Sequence, residues 1–423
     1  MSKFIRFEYK IGGYIMNESI KNSLFEKMNE KQDRMIDIRR YLHENPELSF
    51  QEEKTAAYIA DFYKDKDCDV RTNVGGRGIV VTIDSGNPGK TIAIRADFDA
   101  LPIQEESDVP FQSKNPGVMH ACGHDGHTAY MLILAESLIE IKEQLNGKIV
   151  VLHQHAEEMP PGGAIQMIED HALDGVDNVF GIHVMSQMES GKLFYRPENI
   201  QTGRANFHVK IQGVGGHGSS PHKANDAIVA ASYFVVAVQS IVSRRLNPFE
   251  VGSITIGNFD GRGSFNVIKD AVQLDGDVRS MSEEVRTIVE KEIRAKLDGI
   301  AAMFDVTYEL QYENDYPVLY NDPDLTEETI SHLKQTTIPE LKGIEMCDAQ
   351  PPSEDFAYYA KERPSMFFYV GAAPEEGEAY PHHHPKFKIS ESSLIVAAKA
   401  MGSIVVDYLV KGEWKQVIKE RIN

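Results

Sequence analysis

Between residues 79 and 184, short β-branched runs alternate with helical stretches, and most of the runs end in side chains suited to chemistry. Ile79-Val80-Val81-Thr82-Ile83 and Thr91-Ile92-Ala93-Ile94-Arg95 read as strands, parted by the turn-forming segment Asp84-Ser85-Gly86-Asn87-Pro88-Gly89, which predicts a hairpin or short loop. Two carboxylates, Asp97 and Asp99, follow the second run. From His127 to Leu145 the residues Met131, Leu134, Ala135, Leu138 and Ile141 mark one helical face. Lys148 to Leu152 and Asn178 to Val184 are further strands, the first running into His153-Gln154-His155-Ala156-Glu157-Glu158, the second carrying His183. Upstream, residues 21–43 have helical periodicity that stops at Asn45-Pro46, and a second helix begins near Glu52. Strands alternating with helices imply an α/β sheet whose site lies along its carboxyl edge.

The order then changes. Asn206 to Gln212 alternates, Ala224 to Val242 is helical, Gly252 to Phe259 and Ala271 to Val278 are strands, Ser282 to Met303 is an amphipathic helix, and Asp305 to Tyr312 alternates again. This β-α-β-β-α-β succession is the ferredoxin-like arrangement and is complete in itself. The expected architecture is therefore α/β in two domains. Residues 17–194 and 313–423 form a central mixed sheet flanked by helices, and residues 195–312 form an inserted α+β domain. The α/β pattern resumes near Tyr316 and ends with a helix from Ser390 to about Leu409, while residues 1–16 read as a disordered extension.

A chain of 423 residues with 42% hydrophobic content can bury a substantial core. Its formal net charge of -20 argues against a nucleic-acid or anionic-membrane partner, either of which would call for a basic surface. Cys68, Cys122 and Cys347 are odd in number and far apart, which points to a reducing, cytoplasmic setting rather than a disulfide framework. The first residues offer no apolar core of a secretory signal, and the longest nearly apolar run, Ala227 to Val238, is too short to span a bilayer.

The segment Gly117-Val-Met-His120-Ala-Cys122-Gly-His124-Asp125-Gly-His127 packs imidazole, thiol and carboxylate donors at a loop-to-helix junction. Glu157 and Glu158, His183, and the run His382-His383-His384 add donors from three other places. If strand ends bring them together, they exceed what one tetrahedral ion needs, so two ions about 3.5–4 Å apart are expected. Neighbours on an extended segment point in different directions, so one of Glu157 and Glu158 can bind metal while the other faces a bound water. Each signal alone is weak: a lone histidine is more often a satisfied core residue, and Glu157-Glu158 alone would be solvated surface charge.

Arg95-Ala-Asp97-Phe-Asp99-Ala-Leu-Pro102, Met119-His-Ala-Cys122-Gly-His124-Asp, Ala156-Glu157-Glu158, Gly181-Ile-His183, Gly215-Gly-His217-Gly, Phe265-Asn266-Val-Ile, Ser353-Glu-Asp-Phe356 and His383-His-Pro385-Lys-Phe387 occur in this order. Together they resemble the amidohydrolase branch of the aminoacylase and carboxypeptidase metallopeptidases, which includes hippurate hydrolases and auxin-conjugate hydrolases. The resemblance runs from about Arg40 to the end of the chain.

That resemblance implies Cys122, His124, Glu158, His183 and His383 as ligands of a two-metal centre, Glu157 as general base, and Asp99 as the acidic residue supporting the centre. His383 is chosen among the three histidines because the family spacing is His-x-Pro-x-Phe. The inserted domain would serve as lid and dimerisation domain, with His217, Asn266 and Arg279 as substrate contacts and a homodimer as the assembly. Where the family usually has proline before Ala156-Glu157-Glu158, this chain has His155, a change that removes no ligand. The expected metals are zinc or manganese, with cobalt and nickel also compatible with the donors. The implied reaction is hydrolysis of the amide bond of small N-acyl amino acids. A dipeptidase or carboxypeptidase using the same centre is the alternative, and a non-catalytic metal-dependent binder the reading from another class.

Overall fold

The computed structural model describes residues 17–411, so the expectation of a disordered segment at 1–16 lies outside the described residues. The chain divides into two compact units. Among the described residues, 17–198, 320–348 and 358–411 make the first, and 199–319 with 349–357 the second.

The first unit is built on an eight-stranded mixed sheet. Its spatial order is Asp69–Val74, Gly78–Asp84, Lys148–Gln154, Thr91–Asp97, Asn178–Met185, Ser365–Gly371, Lys192–Tyr195 and Gly343–Met346. The four strands at its centre, from Lys148–Gln154 to Ser365–Gly371, run parallel and are buried along most of their length, as their unbroken apolar character requires. Of the hairpin or short loop expected between the first two β-branched runs, the structure has the short loop, and the two strands do not pair with each other. Gly78–Asp84 pairs antiparallel with Lys148–Gln154, which lies between it and Thr91–Asp97. The turn at 84–89 thus serves a crossover, because the parallel partner of Thr91–Asp97 arrives some fifty residues later.

Helix periodicity between 21 and 43 resolves into two helices, 17–30 and Gln32–Glu44, broken at Lys31. The helix following the histidine-rich segment spans His124–Ile139 and is buried on nearly every side rather than on one face, packing against Gln32–Glu44 and the final helix Ser392–Lys411. Two helices exceed the apolar length anticipated from the Ala227–Val238 run, being long and apolar enough by length and composition to cross a membrane. One of them, Ser392–Val410, has 94% of its apolar window buried inside the first unit and is a core helix.

The second unit carries the β-α-β-β-α-β order over Gly203–Gln212, Ala227–Arg244, Gly252–Asp260, Ala271–Ser280, Glu283–Phe304 and Thr307–Asn314. Its sheet is antiparallel, ordered Gly252–Asp260, Ala271–Ser280, Gly203–Gln212, Thr307–Asn314. Phe207, Val209, Leu274 and Val278 of the sheet meet Ala230, Phe234, Val238, Val289 and Ile293 of the two helices in one core. Asp226 and Ser282 cap those helices by accepting hydrogen bonds from backbone N–H groups of their first turns.

Candidate metal centre

The site occupies the carboxyl edge of the parallel strands in the first unit. Thr91–Asp97 delivers Asp97 and Asp99, Lys148–Gln154 delivers Glu157 and Glu158, Asn178–Met185 carries His183, and the start of helix His124–Ile139 brings Cys122 and His124. Gly123 makes that last junction possible. Its φ of +97° is left-handed, and a Cβ there would meet Val184 Cγ2 at 2.5 Å.

Hydrogen bonds at Nδ1 set which imidazole nitrogen His124 and His183 offer. His124 Nδ1 donates to the backbone carbonyl of Asp99 at 3.0 Å and to its Oδ1 at 3.1 Å, which leaves Nε2 as the lone-pair atom. His183 Nδ1 donates to the carbonyl of Val184 at 2.7 Å, and its Nε2 lies 3.4 Å from Cys122 Sγ. His383 Nε2 is 3.2 Å from Glu158 Oε2. Ligand atoms of Cys122, His124 and His183 lie within 4.8 Å of one another, as do those of Cys122, Glu158 and His383 and those of His124, Glu157 and Glu158. All seven residues expected at the centre, these six together with Asp99, are therefore assembled.

The donor set fits a divalent cation. His124 Nε2 and Glu158 Oε1 are buried 3.9 Å apart, and neither has a hydrogen-bond partner among the described residues, an arrangement too costly to leave uncompensated. The electrostatics agree. Burial disfavours a charged His124 ring, yet Asp97, Asp99 and Glu158 together push it up to about 10, a sign of surplus negative charge around that nitrogen. Burial, and then the charges of Glu158, Glu157 and Asp97, hold the Cys122 thiol well above its ordinary range, so a thiolate there calls for a cation beside it. His183 is kept well below the usual histidine range, by burial first and then by the His127 and His382 rings.

Several side chains that sequence reasoning did not assign surround the ligands. Asp97 accepts hydrogen bonds from His127 Nδ1 at 2.6 Å and Arg95 Nη1 at 2.5 Å, and its Oδ2 is 3.6 Å from His124 Nε2. The period-2 spacing of Asp97 and Asp99 was the available signal, since alternate residues of an extended segment share a face. His382, not singled out within the triple histidine, accepts Ser186 N–H at Nε2 (3.3 Å) and turns Nδ1 toward Cys122 Sγ (3.6 Å). His155, at the family's proline position, turns away to Gln166 Oε1 at 3.2 Å and the edge of Phe50.

The expected substrate contacts lie in the second unit. His217 and Asn266 come together, because Gly216–His217 pairs with Val267–Ile268 and Gly218 N–H donates to the carbonyl of Asn266 at 2.8 Å. Arg279 sits apart on Ala271–Ser280, its Nε on Asp277 at 2.9 Å and its Nη1 3.4 Å from Ser353 Oγ.

Residues 93–407 match the family described as peptidase family M20/M25/M40. The chain belongs to that family. The M20 chain is 62% identical to a crystal structure from methicillin-resistant Staphylococcus aureus, over 92% of this chain and 100% of that one, with a TM-score of 0.89. Among curated relatives, the N-acetyl-L-cysteine deacetylase of Bacillus subtilis is 38% identical over 371 residues, 87% of this chain and 86% of the relative. The YXEP protein of Bacillus subtilis, described as a dinuclear metal-binding peptidase of the M20 family, is 30% identical with a TM-score of 0.78, covering 90% of this chain and 99% of that one. Like its M20 relatives, the protein is a hydrolase acting on C–N bonds, and it has the two-domain α/β architecture of that family.

Proposed function

We propose that this M20 hydrolase cleaves the amide bond of small N-acyl amino acids with two divalent ions held by Cys122, His124, Glu158, His183 and His383. The observation that carries the reading is the packing of Glu157 with the ligand pair His124 and Glu158, donor atoms of all three lying within 4.8 Å of one another. When bound, the ions would supply Lewis acidity that makes water a nucleophile near neutral pH. The remaining steps belong to the protein. Glu157 accepts the proton of the attacking water and passes it to the departing nitrogen. Asp99 holds His124 in the tautomer that frees Nε2. His217 accepts Ser219 N–H at Nδ1 (3.2 Å), which leaves Nε2 as the nitrogen that can donate to a developing oxyanion. Asn266 and Arg279 are assigned to the substrate's polar groups, with the guanidinium suited to a free carboxylate.

A homodimer is proposed through the second unit. Strand Gly252–Asp260 is an edge of the four-stranded sheet. On helix Ala227–Arg244, Val229, Tyr233 and Val236 recur at helical spacing with exposures of 40%, 54% and 72%, opposite the stripe packed on the sheet. A second copy offers the same edge and the same stripe, as a two-fold interface requires.

The test is a substrate panel of N-acetyl and hippuryl amino acids against dipeptides, run on protein loaded with zinc or manganese, beside Glu157→Gln. Hydrolysis of the N-acyl compounds, reduced at least about 10²-fold in the variant with its metal retained, supports the reading. Preference for dipeptides favours the peptidase alternative suggested by the peptidase relative. A fully active Glu157→Gln removes the assigned base.

A further inference from the structure

The three residues Ala156, Glu157 and Glu158 leave the strand end in an unusual conformation. Ala156 has φ +52°, a left-handed backbone disfavoured for a residue with a Cβ, so its surroundings must enforce it. Its N–H donates to Glu52 Oε1 at 2.8 Å, and its carbonyl accepts Gly163 N–H at 3.1 Å. Two residues on, Glu158 N–H donates to Asp99 Oδ2 at 2.9 Å. Buried carboxyl groups thus grip the backbone on both sides of Glu157, one reaching back from residue 52 and the other from residue 99. Glu52 is fully buried, and its second oxygen has no hydrogen-bond partner among the described residues.

We propose that Glu52 is a positioning residue for catalysis: by holding the Ala156 amide it sets the direction in which Glu157 points, without touching substrate or metal itself. This rests on the reading of Glu157 as the base. The chemistry of the contact supports it. The Ala156 N–H is the donor, so Glu52 needs only to present an acceptor oxygen at that reach. A neutral amide of the same length should do the same work.

The test compares Glu52→Gln, Glu52→Ala and Glu52→Asp in the full-length protein. The chemical step depends on a base held within a fraction of an ångström of its proton, so Ala and the shorter Asp should lower kcat by about 10²-fold with KM changed by no more than about threefold. Gln should keep kcat within about threefold of wild type. Two further readouts are independent of turnover: both bound metal equivalents should persist in every variant, and hydrogen exchange at the Ala156 amide should be slow in wild type and Gln but fast in Ala and Asp. If Ala does not fold, Asp carries the same comparison. Full activity in Ala or Asp overturns the proposal. So does loss of metal in step with activity, which would make Glu52 a support for the ligands, or a Gln variant as poor as Ala. Should wild type hydrolyse none of the N-acyl panel, the assigned reaction fails, while the exchange pattern at Ala156 still decides whether Glu52 holds the turn.

Discussion

His127 Nδ1 donates to Asp97 Oδ1 at 2.6 Å, and the opposite nitrogen of the same ring accepts Val184 N–H at 2.9 Å. The imidazole thereby ties Asp97 to the residue that follows His183 and sets the spacing between two strands that supply the centre. Asp97 is buried as a charge and held well below the usual carboxylate range. Burial opposes that charge, but Arg95, His124 and His127 outweigh it.

The first prediction concerns that charge. Asp97→Asn keeps the shape and can still accept from His127, but removes a negative charge 3.6 Å from His124 Nε2. Partners of this kind, just behind the ligands, are worth about 10–100-fold in metal affinity. The variant should lose metal to a competing chelator at about that much lower chelator strength and regain most activity in excess metal. Wild-type affinity in the variant would mean that Asp97 only braces the strands.

Metal removal should be visible in stability as well as in turnover. The centre concentrates Asp97, Asp99, Glu157, Glu158 and Cys122 around His124, and bound cations offset their mutual repulsion. A ligand at about 100 times its dissociation constant stabilises the folded state by about 2.7 kcal/mol. Dialysis against a chelator should therefore abolish hydrolysis and lower Tm by several degrees, both restored by two equivalents of zinc or manganese. A Tm indifferent to chelation would contradict the cation-dependent reading of the site.

How much of this was legible beforehand varied with the range of the interactions. The insertion was readable because its six elements are local and complete. The set Cys122, His124, Glu158, His183 and His383 was implied by the family resemblance, and strand ends sharing one sheet edge made its convergence physically possible. The crossover after Asp84 was not readable, because a turn does not say whether another strand will be inserted later. Helix His124–Ile139 looked one-faced because Met131, Leu134, Ala135 and Leu138 share a side, but Tyr130, Leu132 and Ile133 on its other sides are buried as well, along with the polar His127 and Thr128. Glu52 left no mark, since an acidic residue just before a helix normally reads as a favourable terminal charge, and only the fold brings it to Ala156.

Glu52 makes stability depend on pH in a direction opposite to the usual carboxylate. Its folded pKa of about 8 lies above the ordinary 4.5, so the folded state binds the extra proton in the window between them. The stabilisation is complete below about 4.5 and is lost as pH rises toward about 8. Glu52→Gln cannot titrate and should gain on wild type across that window, by on the order of a few kcal/mol. Denaturant unfolding of both proteins at several pH values checks this. A flat difference between them would show that Glu52 is ionised when folded.

The last prediction addresses the exposed stripe of helix Ala227–Arg244. Val236 is 72% exposed and one helical turn from Tyr233, so a monomer would leave both in water although the opposite face of the helix is fully packed. Placing a carboxylate at the centre of an apolar two-fold interface buries two like charges at once, because each copy contributes the same residue. Val236→Asp should therefore convert a dimer to a monomer at micromolar concentration, read by light scattering on a sizing column. Its effect on the unfolding midpoint of the isolated chain should be small, since an exposed helical position tolerates the change within about 0.5 kcal/mol. A wild-type protein that is already monomeric would refute the interface, whereas a variant that remains dimeric would move it away from this helix, with the edge strand Gly252–Asp260 the remaining face to mutate.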